Sequence, residues 1–273
     1  MSPQQPVLYP PWLVLHVPHD SIDVPHAVRG QFLLDDGELL AELTRMTDHY
    51  TLALFAESNS KAVIVRAPVS RLVVDVERFQ DDTHEPMAAR GMGAVYTVTS
   101  HLNPLRRPLS TREREALMQT YYHPHHARLE AAVSAAIERH GLCLVIDCHS
   151  FPATALPYEL TDPAAARTDL CLGTDAFHTS SELASAFVTA FQREGWSVSL
   201  NKPFAGALVP ISRYQRDSRV SAIMVEVNRR LYLRESDGVR VAVFDDVARK
   251  IQRCCMEAIL AANCQRNRPK DEQ

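Results

Sequence analysis

The chain has 273 residues, long enough to bury a large core, and its 46% hydrophobic content is that of an ordinary globular protein. A net charge of −4 offers no basic footprint for nucleic acid, and no apolar run approaches the roughly 20 residues that a membrane helix needs. The opening Met-Ser-Pro-Gln-Gln-Pro lacks the charged and apolar regions of a signal peptide, and the six cysteines form no Cys-x-x-Cys pair. These features point to the reducing cytoplasm and away from a cysteine-based zinc site.

Trp12 to Val17 reads as a buried strand ended by Pro18, followed at once by His19-Asp20-Ser21. His16 lies inside that strand and reads as a core residue. Residues 36 to 57 carry Leu39, Leu43, Met46, Tyr50 and Leu54 along one helical stripe, with Asp35 or Asp36 as cap. Asp48 and His49 then fall in mid-helix, where neighbours point about 100° apart, so one of them can face a given site. An ordinary role for Asp48 is a solvated surface acid.

Lys61 to Pro68 is a further strand. In the next stretch, Val69 to Phe79, β-branched residues separate Arg71, Asp75, Glu77 and Arg78. Acids and arginines threaded through an apolar segment make either a structural ion network or a carboxylate-binding surface, since arginine offers a planar fork. Seven residues apart, Arg71 and Arg78 lie on opposite faces of a regular strand. Both can reach one pocket only if the chain bends near Asp75.

Residues 80 to 109 look irregular and include His84 and Arg90; a segment that long is more often functional than not. A long helix follows, capped by Ser110 or Thr111 and interrupted by Pro124 within Tyr121-Tyr-His-Pro-His-His126. The apolar positions around those histidines favour a packed helix over a metal site.

Leu142 to Ser150, Leu-Cys-Leu-Val-Ile-Asp-Cys-His-Ser, reads as a strand buried on both faces with a polar tip at its carboxyl end, where open α/β sheets bind ligands. Alone, His149 is most simply a core histidine satisfied by backbone. The same grammar at residues 12 to 21, an apolar strand ending in His and Ser, makes a metal ligand the better reading. A short strand at 169–175, a helix at 180–194, a strand at 196–200, a buried strand at 222–228 carrying Glu226, and a last helix at 239–263 complete the chain. Alternating strands and helices predict a single α/β domain over residues 1–273 with a mostly parallel or mixed central sheet flanked by helices. A carboxylate in the strand around Glu226 must be paired, protonated or functional.

Several segments together resemble the N-formylglutamate amidohydrolase family from about Leu13 to Leu233. They are Val17-Pro-His-Asp-Ser21, Thr47-Asp-His-Tyr50, Ser70 to Phe79, Arg90 to Tyr96, Tyr122-His-Pro-His-His126, Asp147-Cys-His-Ser150, Asn201 to Gly206 and Glu226-Val-Asn-Arg-Arg-Leu-Tyr232. The resemblance implies a phosphorylase/hydrolase-like fold related to the zinc carboxypeptidases. It also implies a zinc-dependent hydrolase that removes a formyl or similar acyl group from an amino-acid nitrogen. The expected partner is a small-molecule N-acyl amino acid. On that reading His19, Asp48 and His149 hold one zinc ion, with His49 as the alternative to Asp48, and Glu226 is the general base. Arg71, Arg78 and Arg90 are candidates for the oxyanion and the substrate carboxylate, with Ser150 and Asn201 adding hydrogen bonds. The chain departs from the family pattern at Asp20, at Glu77 and at Ala205-Gly206-Ala207. Two other readings are a non-catalytic metal- or carboxylate-binding protein, and a metal-free hydrolase using Ser150 or Cys148. The latter lacks a Gly-x-Ser-x-Gly elbow.

Overall fold

A computed structural model describes residues 8–56, 62–160 and 166–266. Its centre is a six-stranded sheet built from β1 (Leu13–Val17), β2 (Val63–Arg66), β3 (Cys143–Phe151), β4 (Leu170–Gly173), β5 (Val198–Leu200) and β6 (Val220–Asn228), in the order β2-β1-β3-β6-β4-β5. Neighbours run parallel except β4 and β6, which are antiparallel. The sheet is therefore mixed: continuous apolar runs mark these strands as buried but do not encode their direction.

Side chains alternate between the two faces. Leu13, Leu15, Leu144, Ile146, Ile223 and Val225 pack with α3 (Thr51–Phe55), α6 (Ser181–Arg193) and α7 (Phe244–Arg266). The opposite face, with Val14, Cys143, Val145, Val220 and Ala222, packs under α5 (His123–His140). Towards the carboxyl ends of the strands that second face turns polar. His16, Asp147, His149 and Glu226 continue the alternation that Val14, Val145 and Ala222 begin. The ladder sets His16 beside Asp147 and His149 beside Glu226.

A second apolar cluster joins α1 (His26–Arg29) and α2 (Asp36–Met46) to Leu72, Val73, Val74, Met92 and Tyr96. Asp35 caps α2 through a reciprocal capping box with Glu38. Ser110 does the same with Glu113 for α4 (Thr111–Leu117), and a wider turn over Met118–Tyr122 leads into α5, with Pro124 in its first turn.

Local structure departs from the sequence expectations in two places. The helix expected over 36–57 is two helices: α2 stops at Met46, Thr47 is extended, and Tyr50 takes a left-handed φ of 65° before α3. Asp48 therefore sits in a break rather than in mid-helix. As the spacing of Arg71 and Arg78 requires, the 69–79 stretch forms turns on both sides of Asp75. The last helix begins at Phe244, because Val239–Arg240 (β8) pairs with Leu233–Arg234 (β7). Among the described residues no helix is long and apolar enough to cross a membrane.

Candidate active site

The break between α2 and α3 carries Asp48 to the end of β1. Asp48 N donates to His19 O at 3.0 Å. The Asp20 carboxylate accepts from Tyr50 N at 2.9 Å and from Leu52 N at 3.4 Å, which fastens the first turn of α3 to the same place. His149 reaches the site from β3. His19, Asp48 and His149 are 2–3% exposed, and their candidate ligand atoms all lie within 4.8 Å of one another. Both imidazoles turn Nδ1 toward Asp48 Oδ2, at 3.6 Å from His19 and 3.2 Å from His149.

The far nitrogens are held by carboxylates. His19 Nε2 meets Asp75 Oδ1 at 2.8 Å, and His149 Nε2 meets Asp147 Oδ1 at 3.0 Å and Glu77 Oε2 at 3.4 Å. This carboxylate–histidine arrangement is the one that orients metal-binding imidazoles. His19 Nδ1 is buried yet has no hydrogen-bond partner. Two imidazole nitrogens and one carboxylate oxygen converging on a common point, one of them orphaned, suit a divalent cation of the zinc type. His49, the alternative ligand, instead turns away to Thr44 O at 3.2 Å.

Arg229 fixes Asp48. It donates from Nη2 to Asp48 Oδ1 at 2.9 Å, from Nη1 to Arg45 O at 2.5 Å and from Nε to Ser150 Oγ at 3.3 Å, while Ser150 N donates to Asp48 Oδ2 at 3.2 Å. Burial alone raises the Asp48 pKa. The hydrogen bond from His149, with the nearby His19 and the charge of Arg229, outweighs it and holds the carboxyl well below its usual range. Burial lowers the pKa of His149, but the charges of Asp147 and Glu77 raise it far above the ordinary imidazole value.

Glu226 behaves differently. Its Oε2 is buried without a hydrogen-bond partner. Burial first, and the Asp48 charge second, raise its carboxyl to about 8 against the pull of His149, Arg71 and Arg229. Neither neighbouring arginine is its partner: Arg229 serves Asp48, and Arg230 pairs with Asp169 at 2.8 Å.

A pocket of about 500 Å³ opens over these groups and is lined by His19, Asp48, His149, Ser150, Glu226 and Arg229. Arg71 and Arg78 also line it. Arg71 Nη2 donates to Asp75 Oδ2 at 2.8 Å, and Arg78 Nε lies 3.7 Å from the same oxygen, so the turns around Asp75 bring both arginines to one side. Arg90 and Asn201 are not brought into this pocket. Arg90 donates to Pro157 O at 3.2 Å, and Asn201, at φ 56°, binds Thr174 through both ends of its amide. Cys148 faces the apolar side of the sheet with no exposed surface, and burial pushes its thiol pKa well up. That leaves it poorly suited to act as a nucleophile.

The supporting roles of Arg229, Asp75, Asp147 and His16 were missed in the sequence. His16 Nδ1 meets Asp147 Oδ1 at 2.7 Å and its Nε2 meets His125 Nε2 at 2.8 Å, so His16 braces the carboxylate behind His149. The available signal was period two: Asp147 and His149 must share a strand face, and the register adds His16 to it. His125 and His126 do not gather as metal ligands; His126 Nε2 meets Val76 O at 2.9 Å.

A family model described as N-formylglutamate amidohydrolase matches residues 12–233. The chain belongs to the N-formylglutamate amidohydrolase family. The matched span holds His19, Asp48, His149, Glu226 and the arginines of the pocket. The fold is similar to that of the N-formylglutamate amidohydrolase from Ralstonia eutropha JMP134, with a TM-score of 0.79 and 20% identity over 96% of this chain and 97% of that one. It is also similar to a gene product from Agrobacterium tumefaciens, with a TM-score of 0.67 and 18% identity over 92% of each chain. No curated protein sequence matches the chain. Family membership makes the chain an amidohydrolase with a mixed α/β fold.

Proposed function

We propose that this amidohydrolase uses one zinc ion, held by His19, Asp48 and His149, to hydrolyse the N-formyl or a related N-acyl amide of an amino acid such as N-formyl-L-glutamate. The observation that carries the reading is the convergence of these three side chains beside Glu226, whose Oε2 is unpaired at the floor of the pocket. A bound zinc ion would supply Lewis acidity for the acyl carbonyl and for water, and its charge would draw the Glu226 pKa down into the working range.

The chain's own groups supply the rest. Asp75 and Asp147 hold the imidazoles in the tautomer that presents Nδ1 to the site. Arg229 keeps Asp48 turned toward the histidines. Glu226 Oε2 takes a proton from the attacking water and returns it to the departing amine nitrogen, which must be protonated to leave. Arg71 and Arg78 offer guanidinium groups for the developing oxyanion and the substrate carboxylate. A binding protein would gain nothing from an unpaired buried acid at this position, which disfavours the non-catalytic reading. The buried free thiols Cys143, Cys148, Cys171, Cys254 and Cys255 fit a reducing compartment, so a cytoplasmic location is part of the proposal.

The test is a panel of N-formyl and N-acetyl amino acids offered to zinc-loaded protein. We expect release of the free amino acid, loss of activity on chelation and recovery on adding zinc. Hydrolysis that persists at full rate in excess chelator, after dialysis, would overturn the zinc assignment.

A further inference from the structure

Arg106 is 4% exposed, and among the described residues no carboxylate pairs with it. Burial brings its pKa down to about 10, so it stays charged at neutral pH. Its guanidinium packs over the Phe32 ring, 4.9 Å from the centroid, and its Nε has no hydrogen-bond partner. A buried charge without an acid is costly, and an apolar side chain of similar length would fill the same space without that cost.

The donors that Arg106 does use converge on one turn. Nη2 donates to Leu72 O and, at 3.4 Å, to Val73 O, while Nη1 donates to Gln31 Oε1 at 3.3 Å. Leu72 and Val73 lie in a tight turn closed by bonds to Ser70 O from Val73 N at 2.8 Å and from Val74 N at 3.4 Å. The last carbonyls of a helical turn have no amide of their own turn to meet, and negative charge gathers there. Among the described residues no backbone N–H reaches Leu72 O or Val73 O. Arg106 caps both. The chain on each side of it is fastened in turn, since Leu33 N donates to Leu105 O and Arg107 N to Gln31 O, both at 3.0 Å.

The capped turn carries groups of the active site. Arg71 precedes Leu72, and Asp75 follows Val73 by two residues. Asp75 N is fixed from the other side by Ala94 O at 2.8 Å. The Asp75 carboxylate then meets His19 Nε2 and Arg71 Nη2, each at 2.8 Å. Arg106 is not among the residues lining the pocket, so its influence on the site passes through this turn.

We infer that Arg106 is a positioning residue for the active site: by capping Leu72 O and Val73 O it sets Asp75 against His19 and turns Arg71 to the pocket. The inference rests on the metal-site reading given above and adds a residue that acts on that site from outside it.

The experiment is a double-mutant cycle on the full chain, with zinc affinity read by competition with a chromophoric chelator. Arg106→Met should weaken zinc binding about tenfold, the lower end of what orienting groups contribute. It should also raise KM for N-formyl-L-glutamate about tenfold, because Arg71 shifts with Asp75. Arg106→Lys, which keeps a cation and a donor for the carbonyls, should recover part of both losses. In an Asp75→Asn background, Arg106→Met should change zinc affinity by less than about twofold, since the path to His19 is already broken. An equal loss in both backgrounds would show that Arg106 does not act through Asp75 and would overturn the inference. So would a lower melting temperature with zinc affinity and KM unchanged, which makes Arg106 purely structural. If Arg106→Met does not fold, the same cycle is read with Arg106→Lys, whose smaller loss should likewise vanish in the Asp75→Asn background. Wild-type protein that binds no zinc would remove the metal-site reading itself, and this inference with it.

Discussion

Arg229 Nη2 donates to Asp48 Oδ1 at 2.9 Å, and this bond leaves Oδ2 as the oxygen presented to His19 and His149. The carboxylate is thereby restricted to offering one oxygen, and its plane is set before any ligand arrives. Arg229→Lys keeps the charge but cannot bond Asp48, Ser150 and Arg45 O together. Zinc affinity measured by competition with a chromophoric chelator should fall about tenfold, at the lower end of what orienting groups contribute. Unchanged affinity would mean that Asp48 is positioned by Ser150 N and the chain break alone.

Asp147 and Asp75 stand behind the two histidines, and their replacement tests whether that support matters. Asp147→Asn and Asp75→Asn should each weaken zinc binding by about 10- to 100-fold. The change removes a negative charge near the cation and also loosens the imidazole, so both effects act in the same direction. Asp147→Asn should show the larger loss of stability, because His16 Nδ1 also rests on Asp147 Oδ1 at 2.7 Å.

Glu226→Gln separates an acid–base role from a packing role. Its carboxyl sits at about 8 because it is buried, so near neutral pH the metal-free protein already holds a neutral, amide-like group there. Glutamine should fit with melting temperature and zinc content nearly unchanged, while kcat falls about a hundredfold or more. A variant that turns over at the wild-type rate would remove Glu226 from the mechanism.

The histidines of α5 predict a pH dependence of stability. Burial, then the charge of His16, lowers His126 to about 4 and His125 to about 2, against an unfolded value of about 6.5. Between pH 6.5 and 4 the unfolded chain binds protons that the folded His126 does not, so its contribution is present above pH 6.5 and is lost as the pH falls. Asp20, raised to about 6, and Glu226, raised to about 8, titrate in the opposite sense over much of that window. The decisive measurement is therefore the difference between wild type and His126→Gln in urea unfolding at pH 7, 6 and 5. The variant should lose less stability on acidification, by up to about 1.4 kcal/mol per pH unit. Parallel curves would contradict the depressed pKa of His126.

The strands and the ends that carry His19, His149 and Glu226 were legible because a buried strand has a simple signature, an apolar run that stops at polar residues. Tertiary geometry was not. Asp48 was expected in mid-helix because the stripe from Leu39 to Leu54 keeps helical spacing through the break; the extended Thr47 and left-handed Tyr50 leave no mark on hydrophobic periodicity. The bend at Asp75 was legible, since two arginines seven residues apart needed one to share a pocket. Arg90 and Asn201 entered through the family resemblance alone, and nothing in their local sequence indicates that they bond to Pro157 O and Thr174 instead. Asp147 was seen only as a polar strand tip; its partnership with His16 depends on the β1–β3 register, which a single sequence does not encode.

Glu226 and His149 are locked to each other by the β3–β6 ladder, whereas Phe79, Met87, Leu156 and Phe204 lie outside the strands of the sheet. The proposed reacting groups thus ride on a rigid floor, and the other surfaces of the pocket are walls hung around it. Loops of this kind tolerate substitution and movement far better than paired central strands. Walls can be exchanged while the floor stays in register, so a new side-chain preference can arise here without the proton-transfer geometry being rebuilt.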